Sequence, residues 1–233
     1  MLNKVRSSLY DKRDRATVAG IIINIVLIAL ALILSAEIIF SMRYTGIYVV
    51  NISMTPTLTG ANVIGYDNAG RPIADTSGDY VYIKTGAKPR YGDIVVVYRP
   101  DVGDNIIKRA VAFGGDRVQF IEGWLYINGE RQEEKYISDE YRTAANNQYY
   151  NYPANGEQHT VEKGKVFLLG DNRNHSDDSR RYGDYDLQNV LGVVPAWSVK
   201  LKEFTTAMHS FFYFKLRGKT TAEIPAENIL LTA

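Results

Sequence analysis

The chain contains no cysteine among its 233 residues. Disulfides, thiolate zinc sites and a cysteine nucleophile are therefore excluded. An excess of one charge is also missing: 27 Lys and Arg face 26 Asp and Glu, a net charge of +1. That balance gives no case for nucleic acid as a partner. Histidine is scarce, and none of His159, His175 and His209 stands in a convincing triad context. His175 adjoins Ser176, but adjacent residues rarely face each other for catalysis. Apolar residues make up 45% of the chain, enough for a packed core in one large domain or two small ones.

One long apolar run is present. "VAGIIINIVLIALALILSAEIIF", Val18 to Phe40, holds only Asn24 and Glu37 as strongly polar members. As a helix it would be roughly 35 Å long, enough to cross a bilayer. Lys4, Arg6, Lys12, Arg13 and Arg15 precede it, and Arg43 stands nearly alone after it. That bias predicts a cytoplasmic N-terminus and an extracytoplasmic remainder. The apolar stretch is too long for the core of a cleaved signal peptide, so an uncleaved anchor is expected.

Beyond the anchor the pattern is mainly β. "GIYVVNIS", "DYVYIKT", "GDIVVVYRP", "NIIKRAVAF", "DRVQFIEGWLYING", "KVFLLGD" and "NVLGVVPAWSVKL" are rich in Val, Ile, Tyr and Phe, residues that suit strands. Glu122-Gly123 predicts a tight hairpin and Asn128-Gly129 another turn. Thr59 to Asp79, rich in Gly, Asn and Asp, and Glu133 to Thr160, polar and full of tyrosine, read as surface insertions. The aromatic cluster Phe211, Phe212, Tyr213 and Phe214 is too short to span a membrane. It is expected to pack on the β domain, with a short interfacial helix as the other reading.

Three stretches carry chemistry. In "DNIIKRAVAF" the neighbours Lys108 and Arg109 point to opposite faces of a strand. Lys108 shares its face with Ile106, Ala110 and Ala112. It is either a snorkelling lysine on an edge strand or an amine desolvated so that it can act as a base near neutral pH. "SMTPTL" supplies Ser53, with Pro56 fixing the path three residues on. A serine hydroxyl needs an adjacent base, and a neutral Lys108 suits that role better than any histidine here. "LLGDNRNHSDDSRRYG", Leu168 to Gly183, follows an apolar strand and is dense in Asp and Arg. Asp177, Asp178 and His175 could be imagined on a metal, but Arg173, Arg180 and Arg181 would repel a cation. Asp with Arg can instead form bidentate pairs that stiffen the loop.

With these boxes in order, the chain resembles a type I signal peptidase, a membrane-anchored serine–lysine peptidase. The likeness rests on the anchor, "SMTPTL", "YGDIVVVYRP", "IIKRAVAFGGDRV" and "GDNRNHSDDSR". It implies Ser53 as nucleophile, Lys108 as general base and Ser176 as the residue that orients the base. It further implies structural ion pairs Asp178–Arg180 and Arg109–Asp171. Gly114 departs from the family's frequent proline at that place. Asn51 stands where the family carries Ser or Gly, two residues before the nucleophile. Either its amide joins the Ser53 N–H in the oxyanion hole, or it only caps a turn.

The resemblance implies a mainly β fold. A basic N-terminus (1–16) and a transmembrane helix (17–42) precede a catalytic domain (43–218) with an inserted β subdomain (119–165), and a tail (219–233) follows. The expected partners are secretory precursors and membrane lipid, with no cofactor, no metal and no nucleic acid. The expected activity is removal of signal peptides from exported precursors. The alternatives are a peptidase dedicated to surface or pilus proteins, a non-catalytic assembly factor and a self-cleaving regulator. The tail ends "NILLTA", with small Ala233 and aliphatic Leu231, and so resembles a cleavage product; it also reads as a plain loose terminus.

Overall fold

The computed structural model describes residues 2–66, 72–75, 77–142, 152–212 and 229–230. They fall into two units, one ending at Arg43 and the other starting at Tyr44. The first is a single helix, α1 (Leu2–Arg43). Its stretch Thr17–Arg43 is apolar and long enough to cross a membrane, and its side chains lie exposed along that stretch. The run contains no proline, so the i to i−4 hydrogen bonds continue without a break.

The second unit is mainly β. Its strands are β1 (Tyr44–Val49), β2 (Val63–Tyr66), β3 (Pro72–Ala74), β4 (Tyr80–Thr85), β5 (Ile94–Arg99) and β6 (Asp104–Phe113). They continue with β7 (Arg117–Ile121), β8 (Trp124–Ile127), β9 (Glu130–Arg131), β10 (Gln158–Thr160) and β11 (Lys165–Leu169). The short helix α2 (Ser179–Tyr182), β12 (Tyr185–Asp186) and β13 (Val190–Val194) lead to helices α3 (Ala196–Lys200) and α4 (Lys202–Ser210). The last strand is β14 (Ile229–Leu230).

An eight-stranded sheet runs in the order β12-β11-β6-β5-β13-β4-β1-β14, and a four-stranded sheet runs β10-β7-β8-β9. The smaller sheet is built by the two expected turns. Glu122 and Gly123 both have positive φ, as do Asn128 and Gly129. That is the backbone a two-residue hairpin needs to match the strand twist. The strand expected over "NVLGVVPAWSVKL" stops at Val194, because Pro195 has no N–H for the ladder and instead leads into α3.

The two stretches read as surface insertions are partly internal. The first forms the β2–β3 hairpin and ends at buried Asp79, which accepts from the Thr59 N–H at 2.7 Å and from the Lys202 ammonium at 2.8 Å. In the second, Glu134 and Ile137 are buried. Residues 143–151 lie outside the described residues. Phe211 and Phe212 are about half exposed and meet edge to face; Tyr213 and Phe214 lie outside the described residues.

β6 is an interior strand, held between β11 and β5. This removes the edge-strand reading of Lys108. Ile106 and Ala110 join an apolar cluster with Val95, Val97 and Leu168. Ala112 does not share that face. A bulge against β11, between Phe167 and Leu168, shifts the register, and Ala112 joins a different cluster with Phe167 and Phe120. An extra residue in one strand reverses the alternation beyond it.

Candidate active site

β1 ends at Val49 and the chain turns through residues 51–58. Within this turn the Thr55 N–H bonds to the Ile52 carbonyl at 3.1 Å and the Leu58 N–H to the Met54 carbonyl at 2.9 Å. Met54 and Leu58 are fully buried with Ile47 and Val49, which anchors both ends of the turn in the core. Ser53 lies between these anchors. It borders a cleft of about 460 Å³ lined by Asn51, Ile52, Ala61, Asn62, Val63 and His175.

Lys108 extends from the middle of β6 to meet it. Its Nζ donates to the Ser53 Oγ at 2.9 Å and to the Ile107 carbonyl at 3.1 Å. Lys108 has no exposed surface and Ser53 almost none. Burial pushes the lysine down from its ordinary 10.5 to about 8; Asp178 and Asp177 work against that shift, and Arg99 and Arg180 add to it. Desolvation disfavours the charged amine more than the carboxylates favour it.

The loop after β11 closes over the serine turn. The Asn172 N–H donates to the Ser53 carbonyl at 2.9 Å, and its side-chain amide reaches the Ile52 carbonyl at 3.3 Å. Gly170 fits where no side chain could, since a Cβ there would run into the Ser176 side chain and the Ser53 carbonyl. Ser176 is buried, and its Oγ has no hydrogen-bond partner among the described residues. The hydrogen bond expected from Ser176 to the lysine amine is thus not formed, although the residue stands beside the serine turn.

Ion pairs fix this loop. Arg180 grips Asp178 through Nε and Nη2, each at 2.9 Å, and the same carboxylate accepts from the Gly170 N–H at 2.9 Å. Burial raises the Asp178 carboxyl, but Arg180 and the Gly170 N–H together with their neighbours hold the group below its ordinary range. Arg109, on the opposite face from Lys108, donates from Nε to Asp171 at 2.7 Å and from Nη1 to the Gly92 carbonyl at 2.6 Å. Its guanidinium lies over the Tyr136 ring, 3.8 Å from the centroid.

A third pair was not legible in the sequence. Arg173 is fully buried and binds Glu134 through both guanidinium ends, with Nη1 to Oε2 at 3.1 Å. Its Nε also bonds the Gly170 carbonyl at 3.1 Å. Glu134 sits in a polar run with nothing to mark it as internal. Asn172 is not legible in the sequence either, because its contribution to the serine turn is partly a backbone donor, which no side-chain pattern reveals.

Asn51 lines the cleft from the turn after β1 rather than from a strand. It adopts a left-handed conformation, φ +66°, and its N–H donates to the Ala61 carbonyl at 3.0 Å. Asn tolerates that conformation better than most residues. His175 reaches the cleft, while the other two histidines are engaged elsewhere: His159 with Asp184 and Tyr152, His209 with Tyr48.

A buried serine hydroxyl held by a lysine titrating near 8 can act as a nucleophile with its own base. A family model described as signal peptidase, peptidase S26, matches residues 21–198. Signal peptidase IB of Staphylococcus aureus is 31% identical over 172 residues, covering 68% of this chain and 78% of that protein. A probable signal peptidase I-1 of Synechocystis is 30% identical over 177 residues, covering 72% and 78%. A crystal structure of a signal peptidase I from Enterococcus faecalis V583 is 32% identical, with a TM-score of 0.39, and the match covers 47% of this chain and 98% of that one. The class is that of the serine endopeptidases. Within it, the chain belongs to the signal peptidase family, peptidase S26.

Proposed function

We propose that this chain removes signal peptides from exported precursors with Ser53 as nucleophile and Lys108 as general base. The observation that carries this reading is the 2.9 Å hydrogen bond between the two in a site without solvent around the amine. Neutral Lys108 takes the Ser53 proton as Oγ attacks the scissile carbonyl, then gives it to the departing amine. Water, deprotonated by the same lysine, hydrolyses the acyl-enzyme. The Ser53 N–H is a natural donor to the oxyanion, since it has no acceptor among the described residues. The Asn51 amide, lining the same cleft, is proposed as the second donor. Ser176 is proposed to orient the lysine once substrate fills the cleft.

The same proposal places the Thr17–Arg43 segment across a membrane. Lys/Arg bias puts the N-terminus in the cytoplasm and residues from 44 onward outside. This would tether the catalytic unit where exported precursors emerge. The substrates are secretory precursors, bound as an extended segment next to the serine. The test is cleavage of a panel of presequences by wild type, Ser53→Ala and Lys108→Ala, with folding checked by circular dichroism. Both variants are expected to lose at least about three orders of magnitude in kcat. A well-folded Lys108→Ala that still turns over would remove the lysine from the mechanism.

A further inference from the structure

We propose that one face of α4 lies in the surface of the bilayer that the chain's own anchor crosses, so that the catalytic unit rests on lipid instead of standing clear of it. The inference rests on the proposed span at Thr17–Arg43 and is independent of the chemistry at Ser53.

At about 100° per residue the side chains of α4 and its flanking residues fall into three sectors. Lys202, Thr205, Thr206 and His209 share the first, which is bonded to the β sheet and its loops. The Lys202 ammonium reaches Asp79 at 2.8 Å, and the Thr205 hydroxyl donates to the Tyr80 carbonyl at 2.7 Å. The Tyr80 N–H donates to the Thr206 hydroxyl at 2.7 Å, and His209 bonds Tyr48 at 2.8 Å. Glu203, Ala207 and Ser210 form a second sector of small and polar residues. The third gathers Leu201, Phe204, Met208, Phe211 and Phe212 within an arc of about 100°. All five are exposed, Phe204 by 62%. Because the first sector is fixed to the sheet, the third is held at the surface and cannot roll inward.

A contiguous exposed apolar face on a fixed helix marks a protein partner or a membrane. Its place in the fold selects the bilayer. Tyr44 is joined directly to Arg43, the last residue of the membrane-length segment, so β1 must start at the bilayer surface if that segment spans. The Trp197 ring, in α3, meets the Tyr44 ring edge to face, with 5.6 Å between centroids. Leu201 follows Trp197 by about one helical turn. Lys84, opposite Tyr44 in the ladder, and Lys200, at the end of α3, are both exposed at this end. Tyrosine and tryptophan settle at the headgroup level, and lysine reaches it with its long stem. From there α4 follows β1, since His209 reaches Tyr48. A helix in the surface with that course lays β1 along the bilayer and keeps the Ser53 cleft near the lipid, where exported precursors emerge.

The test exploits the absence of cysteine, which lets a single introduced one carry a fluorophore. The full chain with Phe204→Cys or Met208→Cys is labelled with a nitrobenzoxadiazole dye. It is reconstituted in vesicles of phosphatidylcholine and phosphatidylglycerol, with and without lipid bearing a nitroxide high on its acyl chain. Glu203→Cys and Ser210→Cys report on the polar sector, and Leu30→Cys reports on the span. The expected result is quenching by the nitroxide lipid at positions 204 and 208 at least about two-fold stronger than at 203 and 210. Equal quenching at all four, with the label at position 30 strongly quenched, overturns the inference and leaves the span standing. Shielding of 204 and 208 from aqueous iodide without lipid quenching also overturns it, because protein, such as a second copy of the chain, then covers the face. A label at position 30 that the lipid does not quench overturns the span and the inference with it.

Discussion

Lys108 Nζ lies 2.9 Å from the Ser53 Oγ, and it also donates to the Ile107 carbonyl at 3.1 Å. Asp178, the carboxylate that most favours the charged amine, is itself held by Arg180. Burial outweighs both Asp178 and Asp177 and holds the amine below its ordinary range, which under the proposed mechanism makes its protonation state decisive.

Activity should therefore rise with pH through one ionisation near 8, the value to which burial pushes Lys108. A flat kcat/KM profile from pH 6 to 9, with chemistry rate-limiting, would contradict the lysine base.

The same shift has a stability consequence. The folded value of about 8 lies below the ordinary 10.5, so between them the unfolded chain binds more protons than the folded one. Stability must rise with pH across that window. Below pH 8 the penalty is fully present, and it amounts to roughly 3 kcal/mol. Lys108→Met should stabilise the protein at pH 7 and lose that advantage as pH climbs toward 10, as read by urea denaturation at several pH values.

Glu134→Gln should be severely destabilising, by about 3–5 kcal/mol, because it leaves Arg173 buried without its counter-ion. Denaturant midpoints measure this. Because Arg173 adjoins Asn172, which bonds the Ser53 carbonyl, kcat should fall even in the fraction that remains folded.

Gly170→Ala should cost about 1–3 kcal/mol through overpacking against Ser176 and the Ser53 carbonyl. Ser176→Ala alone should change stability little, since the buried hydroxyl has no well-formed hydrogen bond among the described residues. Its kcat should fall about ten-fold if the hydroxyl orients the base. Adding Ser176→Ala to Gly170→Ala should recover part of the lost stability, measured by thermal unfolding.

The apolar run before Arg43, the hairpin residues at 122–123 and 128–129, and the strand-forming blocks are local facts. Periodicity, charge bias and turn chemistry were sufficient to read them. The ion pairs Asp178–Arg180 and Arg109–Asp171 came from a family likeness, and here the described geometry brings each pair together. Other features depend on long-range packing. The bulge that moves Ala112 off the face of Lys108 arises only where β6 meets β11. The left-handed turn at Asn51 depends on Ala61 across the loop, and the Arg173–Glu134 pair joins residues whose own neighbourhoods are polar and unremarked. Sequence by itself determined a membrane-length helix, a β-rich domain and the residue types of the proposed serine–lysine site. Tertiary structure alone decided that Lys108 is interior, dry and 2.9 Å from Ser53. A lysine's pKa and reach are set by what surrounds it in space, and most of those surroundings are distant in the chain.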